Sequence, residues 1–407
     1  MNSIKKAGVV IAAIFLIFLS ACKDSDNADS TSHGISGGSG HDIRLGMYYF
    51  GKWTPEPVSF ARARSATWDH SWDQIKPYAP EREPLPVVGW YDSRDVAPME
   101  QHLRWMADHG IDFLTMAWYW VPGGDQKIEN QRKENPAVYA YLEAKNRSRV
   151  SYSLMWCNHF PNISTLAEWD QMVDYWIDNH FNNREYFKID NKPVLFIFTP
   201  ESSSTQGFKH QVDELGVSGA QFLDRARERV KLKTNNKLDG IYFVLCVEAT
   251  DYWVPYASTS GFNAISGYFY HHGVAGHVCV LSPCPCYSGT TLTEMSQSFA
   301  EVKRYYEMQW DWILANKNSN MPYFVPMTAG WDNRPWGSNT LHDNSKATPS
   351  EFEEHLLAGY DRISQNMDKT AGIGMLHAWN EFGEGAIIEP TARYQFEFLQ
   401  RVRKVFR

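Results

Sequence analysis

The chain has 407 residues, enough for one large domain or two ordinary ones, and a formal net charge of −8. An acidic chain without a cluster of basic residues is not expected to bind nucleic acid. These values exclude a basic nucleic-acid-binding protein and leave the number of domains to the pattern along the chain.

The N-terminal residues have the features of an export signal. Lys5 and Lys6 precede an uncharged run over residues 7–21, which is too short for a comfortable membrane span. Residues 19–22 (LSAC) resemble a bacterial lipobox, which implies cleavage before Cys22 and lipid attachment to its sulfur. Residues 23–26 (KDSD) resemble the acidic export signal of surface lipoproteins in Bacteroidetes. We therefore expect a signal peptide over residues 1–21 and a lipid anchor in a bacterial membrane, at the outer-membrane surface or in the periplasm; an uncleaved anchor is the alternative.

Residues 22–42 are predicted to be a flexible tether. They consist mostly of Asp, Ser, Gly and Asn, and Ile35 is their single large aliphatic residue. Residues 43–407 show neither an internal repeat beyond one strand followed by one helix nor a sign of a second domain. We expect them to form a single catalytic domain and a monomer.

Apolar runs and amphipathic segments alternate along residues 43–407. Strands are predicted over residues 43–50, 111–118, 150–156, 193–198, 240–246, 264–268, 323–327 and 372–377. Helices are predicted over residues 95–109, 136–145, 166–181, 220–231, 252–260, 294–316, 349–367 and 393–407. Strands this apolar are typical of a parallel sheet covered by helices, and eight such units close into an α/β fold, the (β/α)8 TIM barrel. An open doubly wound sheet is the alternative, although no GxGxxG or Walker loop supports nucleotide binding in such a sheet.

A barrel brings the residues that follow each strand to its C-terminal rim, where barrel enzymes hold their sites. The N-terminal strand ends carry ordinary polar turn residues, whereas nearly every C-terminal end carries an aromatic or hydrogen-bonding side chain. Aromatic residues make up 14% of the chain, with 16 Trp, and the surplus over core needs is typical of a sugar site. Trp118, Trp156, Trp331 and Trp379 are each as good candidates for packing at the top of the barrel as for the walls of a sugar subsite. The candidate substrate-binding residues are Tyr48, Trp118, Trp156, Asn158, His159, Glu248, Tyr268, Trp331, Asp332, Arg334, Trp379, Asn380 and Glu389.

Two carboxylates, Glu381 and Glu384, follow the last predicted strand. On a helical or turn-like backbone, side chains at this spacing point the same way and lie about 5–6 Å apart at Cβ. Two shielded carboxylates that close cannot both ionise freely, which gives one acid and one base at a single site. Glycosidic bond cleavage needs this pair. The alternative is a solvated acidic turn, but Trp379 and Phe382 are interleaved with the acids.

Several other candidates keep two interpretations. Asp332 orients the substrate or forms an ion pair with Arg334. Glu389 caps the final turn or contacts sugar hydroxyls. Glu248 is the best alternative candidate for a catalytic acid. His159, His271 and His272 have no carboxylate at helical ligand spacing, so we expect neither a metal nor a cofactor. A disulfide among Cys279, Cys284 and Cys286 is left open, and zinc binding by them is disfavoured because two prolines interrupt the cluster.

Four segments carry a resemblance to a known family. Residues 380–385 (NEFGEG), 330–335 (GWDNRP), 154–158 (LMWCN) and 186–194 (YFKIDNKPV) resemble signatures of WbsX-like proteins, which belong with glycoside hydrolase family 99, the endo-acting α-mannosidases. The similarity covers roughly residues 43–407. It implies a (β/α)8 barrel and a retaining mechanism in which one Glu deprotonates the sugar 2-hydroxyl to give a 1,2-anhydro sugar. The Glu three residues later protonates the departing oxygen and then activates water.

Carried over to this chain, the resemblance implies that Glu381 is the 2-hydroxyl base and Glu384 the acid/base. Family 99 usually has Trp-His between the two Glu, where this chain has Phe382-Gly383. We therefore predict a glycoside hydrolase acting on a polysaccharide or glycan, endo-acting and retaining, with an α-mannoside-like substrate as one option. The alternatives are a non-catalytic glycan-binding lipoprotein and a WbsX-type glycosyltransferase. A lipoprotein outside the cytoplasm lacks nucleotide-sugar donors, which favours hydrolysis.

Overall fold

The computed structural model describes residues 43–56, 71–78, 85–120, 128–158, 163–199, 207–270, 298–315, 321–332, 335 and 345–407. The predicted signal peptide, the tether and Cys22 lie outside the described residues, as do His159, His271, His272 and Arg334. The same holds for Cys279, Cys284 and Cys286, and these assignments stay predictions.

Eight parallel strands close into a barrel. They are β1 (Arg44–Tyr49), β2 (Phe113–Trp118), β3 (Ser151–Cys157), β4 (Lys192–Phe198), β5 (Tyr242–Cys246), β6 (Ala264–Ser266), β7 (Tyr323–Thr328) and β8 (Ile373–His377). Each pairs with the next, and β8 pairs with β1, where Arg44 lies opposite Ile373. This pairing leaves no open edge, so the prediction of a (β/α)8 barrel is confirmed and the open sheet is wrong.

Helices connect the strands on the outside. They are α1 (Val96–Asp108), α2 (Ile128–Glu134), α3 (Pro136–Glu143), α4 (Leu166–Trp176), α5 (Gly207–Glu214), α6 (Gly219–Lys233), α7 (Trp253–Thr259), α8 (Phe299–Ala315), α9 (Pro349–Gln365), α10 (Met367–Thr370) and α11 (Glu397–Phe406). A π-helical turn, Ile177–Phe181, continues α4. Within the described residues, no helix has the length and hydrophobicity that a membrane span needs.

Local sequence explains where two of the longer helices begin. Before α6, the Ser218 side chain accepts from the Gln221 amide while the Gln221 side chain accepts in return from the Ser218 amide. Thr348 and Glu351 form the same reciprocal pair before α9. These capping boxes satisfy amide groups that the first helical turn leaves without partners.

Side chains alternate between the barrel interior and the layer beneath the helices, because successive residues of a strand point to opposite faces. In β1, Tyr48 belongs to the interior cluster and Tyr49 to the outer one. The interior is tightly filled: a Cβ on Gly46 would lie 2.4 Å from the Phe113 ring and 2.6 Å from the Met375 sulfur. The barrel is therefore a packed core, and an open site exists only at its ends.

Candidate active site

The acidic segment forms a β-hairpin at the C-terminal end of β8. Residues Asn380–Glu381 pair antiparallel with Ala386–Ile387, and residues 382–385 make the turn. The Glu384 amide donates to the Glu381 carbonyl at 3.1 Å. Gly385 adopts φ 73°, in the left-handed region that glycine enters without strain. The three-residue spacing is thus realised on a turn, with Glu381 at the strand end and Glu384 within the turn.

The two carboxyl groups are shielded from water to different degrees: the Glu384 side chain is 22% exposed, although its Oε2 atom is buried. Glu381 is 4% exposed and accepts a short hydrogen bond from the Tyr268 hydroxyl. Burial raises the pKa of Glu381 well above its usual range, and the neighbouring Glu384 raises it further. Burial also raises the pKa of Glu384, to about 8. The pair therefore retains a proton at neutral pH, which a solvated acidic turn would not do.

The Tyr268 hydroxyl makes the two carboxyl groups unequal. Its hydrogen bond favours the ionised form of Glu381 and lowers the pKa of that group against the effect of burial. Burial still outweighs this hydrogen bond, and the pKa of Glu381 is raised more than that of Glu384. The role of Glu381 as the base therefore stays a prediction from the family resemblance.

A histidine that sequence reasoning did not single out lies beside the pair. His377 ends β8, is fully buried, and places Nε2 3.8 Å from Oε2 of Glu384. Its Nδ1 lies 3.2 Å from the Thr328 hydroxyl, and its ring packs edge-on against Tyr268 with centroids 4.4 Å apart. Burial lowers the pKa of His377 to about 3, so the imidazole is neutral at physiological pH. Its inward position, shared with Met375 two residues earlier, is the signal that could have found it.

Asn380 anchors the start of the hairpin to the first barrel strand. Its side-chain oxygen accepts from the Phe50 amide at 2.8 Å, and its nitrogen donates to the Phe50 carbonyl at 2.7 Å. The Trp53 indole donates to the Asn380 carbonyl at 2.8 Å. Asn380 is fully buried, so the structure places it in support of the hairpin instead of on the surface of the site.

Glu389 follows the hairpin and also lies inside the protein, at 2% exposure. One carboxylate oxygen accepts from the Tyr91 hydroxyl at 2.9 Å, and the other lies 3.1 Å from His102 Nε2. Both oxygens face protein groups, so the position of Glu389 fits neither a helix cap nor a sugar contact. Sequence reasoning missed Tyr91 and His102 altogether.

Three of the predicted rim tryptophans pack in the core. Trp118 contacts Trp176, with ring centroids 5.3 Å apart, and Trp156 stacks on Trp169 at 5.6 Å. Trp379 packs against His102 at 5.2 Å. All three are at most 1% exposed. Of the two roles that the sequence left open for them, their position fits packing.

The remaining candidates occupy different levels of the barrel mouth. Trp331 stacks on Phe269, 4.6 Å away, and the Asp332 amide donates to the Glu384 carbonyl at 2.5 Å, which fixes the hairpin turn. The Tyr48 hydroxyl lies below Tyr268 and donates to the Gly267 carbonyl at 3.1 Å. Asn158 and Glu248 are both buried. The side-chain amide of Asn158 faces the backbone carbonyl of Phe198 and the backbone amide of Phe208. Glu248 lies near Tyr270, Tyr306 and Tyr323. The structure thus brings Tyr268, Glu381 and Glu384 together, with the Asp332 amide bonded to the hairpin turn.

Within the described part of the chain, no three His, Cys, Asp or Glu side chains come together as a metal site would require. Cys157 and Cys246 are buried free thiols. The chemistry that this arrangement can perform is proton transfer by the two carboxyl groups.

Residues 72–402 match the sequence profile of the family described as Glycosyltransferase WbsX. The chain belongs to this WbsX family. The resemblance read from the four segments is thereby confirmed. Solved structures support the same grouping at the level of fold. The GH99 endo-alpha-mannosidase from Bacteroides thetaiotaomicron superposes with a TM-score of 0.54 at 14% identity, covering 89% of this chain and 96% of that one. A glycoside hydrolase-like protein gives 0.60 at 13% identity, covering 90% and 95%.

Curated relatives of this WbsX-family chain are similarly distant. The rat (Rattus norvegicus) glycoprotein endo-alpha-1,2-mannosidase is 22% identical over 314 residues, which cover 75% of this chain and 56% of the relative. An uncharacterized protein, WxcX, from Xanthomonas campestris pv. campestris is 20% identical over 338 residues, covering 78% and 42%. The chain therefore spans about half the length of the curated relatives it matches. Together these findings show a WbsX-family chain with the barrel fold of the GH99 structure.

Proposed function

We propose that this WbsX-family protein is a glycoside hydrolase that cleaves a polysaccharide or glycan internally and with retention of anomeric configuration. The observation that carries the proposal is the pair of neighbouring carboxyl groups, Glu381 and Glu384, which one hairpin brings to the barrel mouth and whose raised pKa values keep a proton on the pair at neutral pH. General acid–base catalysis requires one group that gives a proton and one that takes it, and the two members of this pair can fill these roles.

In the proposed first step, the Glu381 carboxylate takes the proton of the sugar 2-hydroxyl. The freed oxygen attacks C1 and closes the 1,2-anhydro ring while the bond from C1 to the leaving oxygen breaks. Glu384 gives its proton to that leaving oxygen. In the second step, the Glu384 carboxylate takes a proton from water and the water oxygen attacks C1. The bond between C1 and the 2-oxygen breaks, and the 2-oxygen recovers its proton from Glu381. Each carboxyl group ends in its starting state.

The hairpin geometry supports this route over a conventional double displacement. A carboxylate nucleophile and an acid/base lie about 5–5.5 Å apart on opposite sides of the scissile bond, each acting directly on C1 or the leaving oxygen. Here both acids come from the single segment of residues 380–385, and Glu381 accepts a hydrogen bond from the Tyr268 hydroxyl at the barrel mouth. A base for a neighbouring hydroxyl can approach from the same side as the acid. The name of the rat relative supports a glycan with internal α-mannoside linkages as the first substrate to test.

Glycosyl transfer is the second candidate, because the family description names a glycosyltransferase. The same two carboxyl groups would serve if a sugar hydroxyl replaced water in the second step. We further propose that residues 1–21 are a signal peptide and that lipid on Cys22 holds the domain at the outer-membrane surface or in the periplasm, where water is the available acceptor.

The test is cleavage of a panel of α-mannans and other bacterial and host glycans by the wild type, Glu381→Gln and Glu384→Gln. We expect cleavage by the wild type alone, with the product anomer observed by NMR before mutarotation. Binding without turnover by all three proteins would replace the hydrolase with a glycan-binding protein. Product formation only when an activated donor and an acceptor sugar are supplied would favour the transferase.

A further inference from the structure

We propose that Tyr91, His102 and Glu389 form a buried positioning network that fixes the orientation of Glu381, an inference that rests on the proposed function. All three are buried. Tyr91 precedes α1 and His102 lies within it, both distant in sequence from the hairpin, whereas Glu389 directly follows the hairpin.

The network joins the two ends of the hairpin. On the backbone, the Ile388 amide donates to the Ala378 carbonyl at 3.0 Å and the Glu389 amide to the Trp379 carbonyl at 2.9 Å. The Tyr91 hydroxyl adds a side-chain bridge, since it accepts from Asn380 Nδ2 at 3.0 Å and donates to Glu389 Oε2 at 2.9 Å. One hydroxyl thus connects the residue before Glu381 with the residue that leaves the hairpin.

His102 lies against the far side of the Glu389 carboxylate, in a close contact without hydrogen-bond geometry. Its Nε2 lies 3.1 Å from Oε1 of Glu389, and its Nδ1 lies 3.1 Å from the Tyr49 hydroxyl in β1. Glu389, Tyr91 and His102 are all at most 5% exposed. A buried carboxylate is tolerated only where partners replace its lost hydration. Helix α1 therefore packs against this carboxylate through His102, and the Tyr49 hydroxyl places strand β1 on the other side of the same imidazole.

Strand geometry transmits this restraint to Glu381. Asn380 and Glu381 are consecutive residues of an extended segment, so their side chains point to opposite faces. Asn380 points to Tyr91 and to the backbone of Phe50, whereas Glu381 points to Tyr268. A displacement of Asn380 must move the Glu381 carboxylate. A shift of about 1 Å at a reacting group can reduce a rate by about 100-fold.

The test compares Tyr91→Phe with Tyr141→Phe, each of which deletes one buried hydroxyl and keeps the ring. The Tyr141 hydroxyl donates to the Val150 carbonyl at 2.7 Å, at the N-terminal end of β3 and away from the hairpin. We expect Tyr91→Phe to lower kcat by about 10- to 100-fold with little change in KM. Hydrogen–deuterium exchange of residues 378–389 should accelerate in the same variant. Tyr141→Phe should lose comparable thermal stability and keep both kcat and the exchange rates.

Equal kcat values and equal exchange of residues 378–389 in the two variants would overturn the network. A wild type that cleaves no glycan would overturn the proposed function instead. The exchange measurement would then decide the network alone: faster exchange only in Tyr91→Phe supports it, and equal exchange overturns it. If Tyr91→Phe does not fold, Glu389→Gln keeps the side-chain shape, removes the charge and takes its place in the same comparison.

Discussion

Removal of the Tyr268 hydroxyl should shift the pH dependence of catalysis in one direction only. Tyr268 donates to Glu381 Oε1, and this bond favours the ionised carboxylate that the first proposed step requires. In Tyr268→Phe the ring remains and the donor is lost. The pKa of Glu381 must then rise, because burial continues to disfavour the charge while its hydrogen-bonded counterweight is gone.

The size of the shift follows from the strength of the bond. A hydrogen bond to a charged group contributes about 1.5–3 kcal/mol, and about 1.4 kcal/mol corresponds to one pKa unit, so the acid limb should move up by about one to two units. In the proposed mechanism, the acid limb reports ionisation of Glu381 and the basic limb reports loss of the Glu384 proton. We therefore expect the pH–rate profile of Tyr268→Phe to narrow from the acid side and its maximum to fall.

The assay is kcat/KM against pH from 4.5 to 9 on the glycan that the panel identifies. Tyr186→Phe is the matched control, because its buried hydroxyl donates to the Val194 carbonyl at 3.0 Å and contacts neither carboxyl group. The control should keep the wild-type profile. An acid limb that stays in place or moves down in Tyr268→Phe would refute the assignment of Glu381 as the base.

Three further predictions use the same site and its support. Glu384→Gln should reduce kcat by about 10²- to 10⁴-fold on natural glycans, and activated aryl glycosides should recover the first step because their leaving groups need no proton; equal losses on both substrate types would argue against an acid role. A carboxyl group whose pKa is raised by folding binds its proton in the folded state, so the stability it contributes is complete below about 4.5 and is lost as the pH rises towards about 8. The wild-type melting temperature should therefore fall more steeply over that range than that of the Glu381→Gln/Glu384→Gln double variant, and parallel curves would contradict the raised pKa values. Gly46→Ala should lower the free energy of unfolding by about 1–3 kcal/mol in urea titrations, because its methyl group would meet the Phe113 ring at 2.4 Å. An unchanged midpoint would mean that the side chains around residue 46 move to accept the methyl group.

The barrel could be predicted from sequence because both faces of its strands are buried. Eight apolar runs separated by amphipathic helices leave few other architectures. The same property hid the direction of individual side chains. Trp118 and Trp156 end predicted strands that carry apolar residues on both faces, with Thr115 and Ser153 as small polar exceptions, so the pattern did not reveal that the two tryptophans share the outward face of Met116 and Leu154. Helix boundaries failed for local reasons: α11 begins at Glu397 instead of residue 393, because Gln395 adopts φ 49° in the preceding turns.

The acidic pair could be predicted because its members are three residues apart on one short segment. Its supporting residues could not, because Tyr91 and His102 are 298 and 287 positions from Glu389 along the chain, and only the closed barrel brings them together. Each would have been interpreted as an ordinary core residue. Spacing along the chain reveals groups that act on a ligand together, whereas groups that hold them in place come from wherever the fold brings a neighbour.

The bond between Asn380 and Phe50 spans 330 positions. During biosynthesis, the acidic hairpin therefore has no anchor until the ribosome has completed almost the whole barrel and its last strand has docked beside its first. Prematurely terminated chains would lack the acids altogether, and nascent chains would hold them unsecured. Catalytic activity is thus the last property that the newly made protein acquires. Local unfolding where β8 pairs with β1 would also abolish that activity first.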